Sequence, residues 1–248
     1  MSNFAVCRIA KMKTRASIGG MGGHVSRDRD TPNANPSVKN FVLTGSGRML
    51  DDYDKRMAEL SIPKIRKNAV LAIDFMLTAS PNHFLLDGKR DNQKIADFTK
   101  TTKNWLKEKW GDNFISATLH LDEKTPHIHA VIIPEIEGKL RANHWFDGRE
   151  KMSKLQDEFS AATTDLGLER GIKGSKAKHT SIQKYYSQVN KVEALANKVK
   201  TQTGLIHDLE ARLEPFVADK MVRLAKSIDI GESLLDRPSE RSREPKIR

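Results

Sequence analysis

A ten-residue segment at positions 120–129, His-Leu-Asp-Glu-Lys-Thr-Pro-His-Ile-His, carries three histidines and two carboxylates. Neutral imidazoles bind divalent transition metals, and three protein ligands leave coordination positions for a substrate oxygen and water. The segment therefore predicts a metal site whose ligands are His120, His127 and His129. Glu123 lies beside them in sequence and is predicted to orient an imidazole or a bound water. The alternative interpretation is a polar hairpin whose histidines bind nothing.

The residues on both sides of this segment are apolar and predict two strands, at 114–119 and 130–134. Side chains alternate along a strand, so His127 and His129 share one face while Ile128 points to the other. A short loop at 122–126 closes a hairpin that brings His120 beside that pair. A metalloprotease helix needs two histidines four residues apart, whereas the close pair here is two apart. The metal site is therefore predicted to lie on a sheet.

The ten-residue segment resembles the signature of the Mob/Pre (MobV) plasmid mobilization relaxases, within the His-hydrophobic-His (HUH) endonuclease class. The resemblance covers roughly residues 2–180 and includes, in order, the stretches 5–12, 31–36, 67–71 and 174–179. It implies an α+β fold, an antiparallel-sheet HUH sandwich with helices on its faces. The predicted order of strands and helices around an antiparallel hairpin agrees with that fold class.

The resemblance also implies a function. A relaxase is a site- and strand-specific DNA endonuclease that nicks a plasmid transfer origin, in single-stranded or supercoiled DNA, and keeps the 5′ phosphate as a covalent adduct. It implies a divalent metal ion, Mn²⁺ or Mg²⁺, and the conjugative coupling machinery of a helper plasmid as a partner. Three alternatives stay open: a rolling-circle replication initiator or transposase of the same nuclease class, a non-catalytic basic DNA-binding repressor, and a metallohydrolase of small phosphoesters.

Four glycines within positions 19–23 precede His24. Glycine adopts backbone conformations that other residues avoid and lets a backbone approach a ligand closely. By the resemblance, His24 matches the family's nucleophile, and a neutral imidazole nitrogen can attack a phosphodiester. From the residues alone, a solvated loop histidine is the alternative interpretation. Tyr53, in a predicted helix, is the second candidate for the nucleophile.

Two further side chains are candidates for the catalytic site. Arg27 matches an arginine of the family's motif and is predicted to bind the scissile phosphate bidentately, with a solvated charge cluster as the alternative. Asp74 interrupts an apolar strand predicted at 69–79. A carboxylate in such a strand needs a partner. Asp74 is predicted either to hold the nucleophilic imidazole in one tautomer or to pair with a nearby lysine or arginine.

The charge balance favours a polyanionic partner. The chain has 43 Lys and Arg against 32 Asp and Glu, a formal charge of +11 and an isoelectric point near 9.7. Two basic stretches, at 61–68 and 170–178, are predicted to contact DNA phosphates. Their candidate residues are Lys64, Arg66, Lys67, Arg170, Lys173, Lys176 and Lys178.

The single cysteine, Cys7, excludes an internal disulfide and suits a reducing compartment. No signal peptide is visible, and no apolar run approaches the length of a membrane span. We therefore predict a bacterial cytoplasmic protein without membrane insertion.

Residues 1–180 are predicted to form the catalytic domain, 181–235 a helical extension and 236–248 a disordered tail. Within the first, the sequence predicts a strand at 4–12, a helix at 91–110, an edge strand at 143–146 and a helix at 150–166. In the extension, Val192, Leu195, Val199, Ile206, Leu209 and Leu213 occupy heptad a and d positions, and Pro215 is predicted to end that helix. These positions predict that the helix either packs on the core or pairs weakly with a second chain, in a homodimer through the C-terminal helices.

Overall fold

A computed structural model of the protein describes residues 2–173 and 182–227. Its strands are β1 Phe4–Met12, β2 Phe41–Thr44, β3 Ala72–Ala79, β4 Leu85–Leu86, β5 Lys89–Arg90, β6 Phe114–His120, β7 His127–Ile132, β8 Glu135–Ile136, β9 Lys139–Leu140 and β10 Glu169–Arg170. Its α-helices are α1 Arg15–Val25, α2 Met49–Leu60, α3 Asn92–Trp110, α4 Gly148–Ala162 and α5 Ile182–Ser227.

Among the described residues, six strands form the main sheet, in the order β10-β1-β3-β7-β6-β2. Neighbouring strands are antiparallel except β1 and β10, which run parallel. The central strands β3 and β7 are largely buried on both faces because helices cover both sides of the sheet. This arrangement confirms the predicted α+β fold with an antiparallel sheet.

Side-chain alternation along the strands divides the core into two layers. On one face, Phe75 of β3 and Ile128 of β7 pack against α3 and α4. On the other face, Val131 of β7 packs against α1 and α2. His127 and His129 are four and two residues before Val131 in β7, so their side chains point to the same face as Val131, the face covered by α1 and α2.

Most of the predicted elements are confirmed, with small shifts of their ends. The helix predicted at 91–110 is α3, which Asp91 caps through its side chain and which ends at Gly111. The helix predicted at 150–166 is α4 followed by a short 3₁₀ turn, Thr164–Leu166, which ends at the left-handed Gly167. The hairpin between β6 and β7 has the predicted strands on both sides.

The edge strand predicted at 143–146 is wrong. Ala142–His144 is a 3₁₀ turn, and Phe146 is buried against Phe75. Lysine side chains bind the carbonyl oxygens of this segment instead of a neighbouring strand: Lys11 Nζ donates to Phe146 O at 2.6 Å and Lys151 Nζ to Asn143 O at 2.7 Å. Phe146 belongs to the core, and Trp145 packs against it.

The chain divides into two compact units, Met1–Lys176 and Ala177–Arg248. In the described part of the second unit, α5 is a single helix that continues through Pro215, so the predicted break at this residue is wrong. Proline removes one N–H donor and crowds the carbonyl group four residues earlier, which weakens a helix, but here the residues on both sides of Pro215 remain helical. The tail predicted at 236–248 lies outside the described residues. None of the described helices has the length and apolar character needed to cross a membrane.

Candidate active site

The hairpin β6–β7 brings the three predicted histidines together. His120 is the last residue of β6 and pairs directly with His127, the first residue of β7. The ring centroids of His120 and His127 are 5.0 Å apart, and that of His129 lies 5.3 Å from His127 and 5.5 Å from His120. All three side chains are buried. The alternation of side chains along β7 is what places His127 and His129 on the same face.

Hydrogen bonds orient two of the rings. His127 Nδ1 lies 3.0 Å from the carbonyl oxygen of Thr125, and His129 Nδ1 lies 3.0 Å from Asp74 Oδ1. Because these oxygens only accept, each Nδ1 carries the proton and each Nε2 keeps its lone pair. His129 and Asp74 form the carboxylate–histidine pair that commonly supports a metal ligand. Nε2 of both rings is therefore available to coordinate a cation.

His120 has the opposite arrangement. Its buried Nε2 has no hydrogen-bond partner among the described residues. Its Nδ1 lies 2.7 Å from Arg27 Nη2, and a guanidinium only donates, so Nδ1 accepts in this structure. A buried nitrogen without a protein partner is a position that a metal ion can satisfy.

Glu123 joins this cluster. Ligand atoms of His120, Glu123 and His127 all lie within 4.8 Å of one another, and Glu123 Oε1 is 3.8 Å from His127 Nε2. The sequence predicted Glu123 as a residue that orients a ligand, whereas the geometry places its carboxylate among the candidate ligands. Two imidazoles and a carboxylate, with His129 beside them, suit a divalent transition metal. The residues present therefore fit a metal ion.

His24 lies beside this cluster. It occupies the last turn of α1 and is half-buried. Its ring centroid is 5.7 Å from that of His129 and 6.5 Å from that of His120. Burial, with the nearby His129 and Arg27, lowers the pKa of His24, so the ring is neutral near pH 7 and can act as a nucleophile.

The glycines before His24 form a helix rather than the loop that the sequence suggested. Thr14 and Ser17 form a capping box that begins α1. The glycines allow close packing: a Cβ at Gly22 would lie 3.3 Å from Met49 Cβ of α2, and one at Gly23 would lie 3.3 Å from Arg29 Cγ. Glycine here serves the approach of α1 to its neighbours, which places His24 against the sheet.

Arg27 lies directly after α1 in a left-handed conformation, with φ +65°, which is costly for a residue with a side chain. Its Nε donates to Asp122 at 2.7 Å and its Nη2 to Glu123 at 2.8 Å. Its Nη1 donates to the carbonyl oxygen of His24 at 3.0 Å. The predicted solvated charge cluster is wrong for Arg27, because its guanidinium connects the end of α1 to the loop at 121–126. Whether it also reaches the scissile phosphate stays a prediction.

The two other side chains predicted as candidates, Asp74 and Tyr53, do not contact His24 in the way or place that the sequence predicted. Asp74 binds the ring of His129, so the prediction that it orients His24 is corrected, as is the alternative of a lysine or arginine partner. Tyr53 is 4% exposed and packs in the core beneath α1 and α2. Burial raises the pKa of its hydroxyl, which makes the phenolate less accessible.

The sequence analysis did not identify three residues that form hydrogen bonds with the loop at 121–126. Asn40 Nδ2 donates to Asp122 Oδ2 at 2.9 Å, and Asn33 Nδ2 donates to Glu123 Oε2 at 2.8 Å. Arg90 donates to the carbonyl oxygens of Leu121 and Glu123. Against the effect of burial, hydrogen bonds from Arg27 and Asn40 hold the pKa of Asp122 far below its usual range. Both asparagines lie between α1 and β2, and no spacing in the sequence connects them to Asp122 and Glu123, more than 80 positions away.

The pKa values of His120 and His127 suit metal binding. Burial and the neighbouring imidazoles lower the pKa of His120 and of His127, so both rings are neutral and can donate a lone pair near pH 7. Burial opposes protonation of His129 too, but the Asp74 carboxylate outweighs it and raises the pKa of His129.

The predicted DNA contacts fall in two groups. Lys64, Arg66 and Lys67 are exposed in the segment between α2 and β3. Arg170 and Lys173 both pair with Asp157 of α4, and their contact with DNA phosphates stays a prediction. Lys176 and Lys178 lie outside the described residues.

Known proteins are similar to this chain in sequence and in fold. The family model Mob_Pre, plasmid recombination enzyme, matches residues 1–187. A 65 kDa protein of Zymomonas mobilis subsp. mobilis is 36% identical over 209 residues, which cover 81% of this chain and 35% of that protein. A plasmid recombination enzyme of Streptococcus agalactiae is 33% identical over 197 residues, which cover 74% of this chain and 39% of that protein. The chain thus spans well under half the length of these relatives.

A solved structure has a fold similar to that of this chain. The MobM relaxase domain (MOBV; Mob_Pre), in a Mn-bound crystal structure with 22 nucleotides of plasmid pMV158 oriT DNA, has a TM-score of 0.65 and 31% sequence identity. The match covers 75% of this chain and 99% of that one. The family model matches most of the chain, and the ten-residue segment and His24 lie within the matched range. The chain therefore belongs to the Mob_Pre family of plasmid recombination enzymes.

Proposed function

We propose that this protein is a metal-dependent relaxase that nicks one strand of a plasmid transfer origin and keeps the 5′ phosphate on His24. The observation that carries the proposal is the neutral His24 ring lying beside a cluster of three histidines and Glu123. Mn-bound relatives with oriT DNA support it.

In this proposal, His120, Glu123 and His127 hold the divalent ion, with His129 as the adjacent fourth donor. A bound divalent ion neutralises charge on the non-bridging phosphate oxygens and fixes the phosphate in line with its attacker. For Nε2 of His120 to be a ligand, the ring proton must move to Nδ1. Asp122 Oδ1, 3.6 Å from Nδ1, is the acceptor within reach, and Arg27 Nη2 must then give up its contact with Nδ1.

The chain's own residues carry the covalent step. A ring nitrogen of His24 attacks the scissile phosphorus; a P–N bond forms, the bond from phosphorus to the 3′ oxygen breaks, and that bond's electron pair leaves on the 3′ oxygen. The phosphorylated His24 ring releases its remaining N–H proton, the 3′ oxygen takes up one proton to become a hydroxyl, and the ring is neutral again. Because the P–N bond is reactive, the 3′ hydroxyl can later attack it and reseal the strand. A hydrolase does not need this reversibility, but a relaxase does.

The test uses single-stranded origin DNA with and without Mn²⁺, followed by a denaturing gel. We expect a metal-dependent, acid-labile protein–DNA adduct that is lost in His24→Ala. Tyr53→Phe is the matched control, because it removes the other candidate nucleophile. An acid-stable adduct that Tyr53→Phe abolishes would reassign the nucleophile, and no adduct or nicking on a verified origin would refute the proposal.

The exposed cations Lys64, Arg66 and Lys67 are proposed to contact DNA phosphates in this reaction. Arg170 and Lys173 can do so only by exchanging Asp157 for a phosphate. We assign the nuclease to residues 1–180, and we further propose that the extension at 181–235 forms a homodimer. The predicted heptad residues of α5 are each more than half exposed. Light scattering of the full chain, with Leu195→Lys and Leu209→Lys as disrupting changes, tests the dimer.

A further inference from the structure

The guanidinium of Arg27 lies at the candidate metal site. Its Nη2 is 2.8 Å from Glu123 Oε1 and 2.7 Å from His120 Nδ1, and both residues are candidate metal ligands. The same nitrogen is 2.8 Å from Asp122 Oδ1, and only 18% of the Arg27 side chain is exposed. A partly buried cation of the protein therefore interacts with the groups that would bind a divalent ion.

Arg27 Nη2 has more acceptors than it can serve at once. The nitrogen carries two N–H groups, whereas three acceptor atoms, on His120, Asp122 and Glu123, lie within 2.8 Å of it. A histidine that binds a metal through Nε2 carries its proton on Nδ1, so His120 cannot then accept from Arg27. Glu123 Oε1 is also 3.8 Å from His127 Nε2, so this one oxygen is within reach of both the guanidinium and the ligand cluster.

Both of these carboxylates also have an asparagine as a donor. Asn33 Nδ2 donates to Glu123 Oε2 at 2.8 Å, and Asn40 Nδ2 donates to Asp122 Oδ2 at 2.9 Å. Arg27 Nε donates to the same oxygen of Asp122. When Nη2 moves away, Asn33 still orients Glu123, and Asn40 and Arg27 Nε still orient Asp122. The Nη2 contacts are therefore not needed to hold the carboxylates in place, while the positive charge of the guanidinium repels a second cation.

The backbone of Arg27 depends on these contacts. Its φ of +65° is unfavourable for a residue with a side chain, and such a conformation persists only where its surroundings fix it. The side chain is fixed by His120, Asp122 and Glu123, and by the carbonyl oxygen of His24, 3.0 Å from Nη1. Release of Nη2 therefore removes part of what holds the backbone in this strained conformation.

We propose that Arg27 competes with the divalent ion for Glu123 and His120, so that metal binding requires Nη2 to release both residues. The inference rests on the proposed function and adds a control of metal binding to it. The released N–H groups are then free to donate to an oxygen of the scissile phosphate, so the guanidinium exchanges a protein carboxylate for the substrate. Because Nη1 donates to the carbonyl oxygen of His24, this exchange also acts on the end of α1 that carries the proposed nucleophile.

The test measures Mn²⁺ binding by calorimetric titration without DNA. Arg27→Gln removes the charge but keeps an amide donor. Arg90→Gln is the matched control, since Arg90 also donates to the loop at 121–126, but to main-chain carbonyl oxygens instead of a candidate ligand atom. A buried carboxylate that loses a partner destabilises a fold, so the comparison is repeated between Asp122→Asn and Asp122→Asn/Arg27→Gln. Thermal unfolding without metal verifies that each variant is folded.

We expect Arg27→Gln to lower the dissociation constant for Mn²⁺ about three- to tenfold in both backgrounds, because metal binding no longer breaks a hydrogen bond or meets a repelling charge. Arg90→Gln should not lower it. An unchanged or raised dissociation constant for Arg27→Gln in either background would make Arg27 a support of the site and overturn the proposal, as would an equal fall in Arg90→Gln. Nicking of origin DNA by the wild type in Mn²⁺ is measured separately, so its failure would refute the proposed function while the titration still decides the competition.

Discussion

Replacing Asp74 with asparagine tests the support behind the metal site. The carboxylate oxygens lie 3.0 and 3.3 Å from His129 Nδ1, and both side chains are buried. The asparagine keeps an oxygen near the ring but removes the charge that raises the pKa of His129 against the effect of burial. The imidazole then becomes a weaker base and a weaker ligand.

The size of the effect follows from known metal sites. Loss of such a supporting carboxylate weakens metal binding about 10–100-fold, which corresponds to about 1.4–2.8 kcal/mol. We therefore expect the dissociation constant for Mn²⁺ of Asp74→Asn to rise within that range, while the folded structure is kept. The rise should appear without DNA, because it concerns the site itself.

Calorimetric titration with Mn²⁺ measures this change independently of nicking. Asp157→Asn is the matched control, since it also removes a carboxylate from an ion pair, with Arg170, but on α4. A dissociation constant of Asp74→Asn within twofold of the wild type and of this control would show that His129 is not a ligand. The four-donor arrangement would then reduce to His120, Glu123 and His127.

Three further outcomes are expected. Without metal, the free energy of unfolding of the wild type in urea should fall as the pH is lowered from 7.5 to 5. Burial lowers the pKa of His120, so the folded state excludes a proton that the unfolded state takes up below about pH 6.5. The loss is at most about 1.4 kcal/mol per pH unit for this residue, and it should be smaller in His120→Gln. Gly19→Ala should raise the free energy of unfolding by up to about 1 kcal/mol, because the added Cβ would lie no closer than 3.8 Å to any neighbouring atom. Gly22→Leu should lower the free energy of unfolding by about 1–3 kcal/mol, because the leucine would clash with Met49. Urea unfolding measures both. Arg90→Gln should weaken Mn²⁺ binding several-fold in the same titration, because the carbonyl oxygens of the loop at 121–126 lose their donor, and an unchanged dissociation constant would show that the loop holds its shape without Arg90.

The hairpin and its histidines were predictable because the information is local. Alternation along β7 fixes which side chains share a face, and six positions separate His120 from His127, which is short enough for a hairpin. The amphipathic helix α3 was predictable for the same reason, since its buried residues recur at helical spacing. Local periodicity determines such elements before any tertiary contact forms.

What escaped prediction depends on contacts between distant segments. The choice of Asp74 between His24 and His129 depends on the pairing of β3 with β7, which no residue near Asp74 in sequence reveals. Asn40 and Arg90 act on the loop at 121–126 through hydrogen bonds that span many residues. The glycines of α1 have low helix propensity, and only the packing surface offered by α2 makes them helical. In each case a tertiary contact outweighed the local preference.

The glycine-rich helix has a consequence for motion. The proposed nucleophile is carried by an element with few side-chain contacts of its own, in which only Ile18 and Val25 are buried. Elements of this kind open locally at a lower free energy than the strands of the core, so their amides exchange with solvent before those of β7. His24 can therefore leave and regain its position while the candidate metal ligands on the sheet stay in place. A 5′ DNA end attached to His24 would share that freedom, and opening of α1 would move the attached strand without unfolding the site that reseals it.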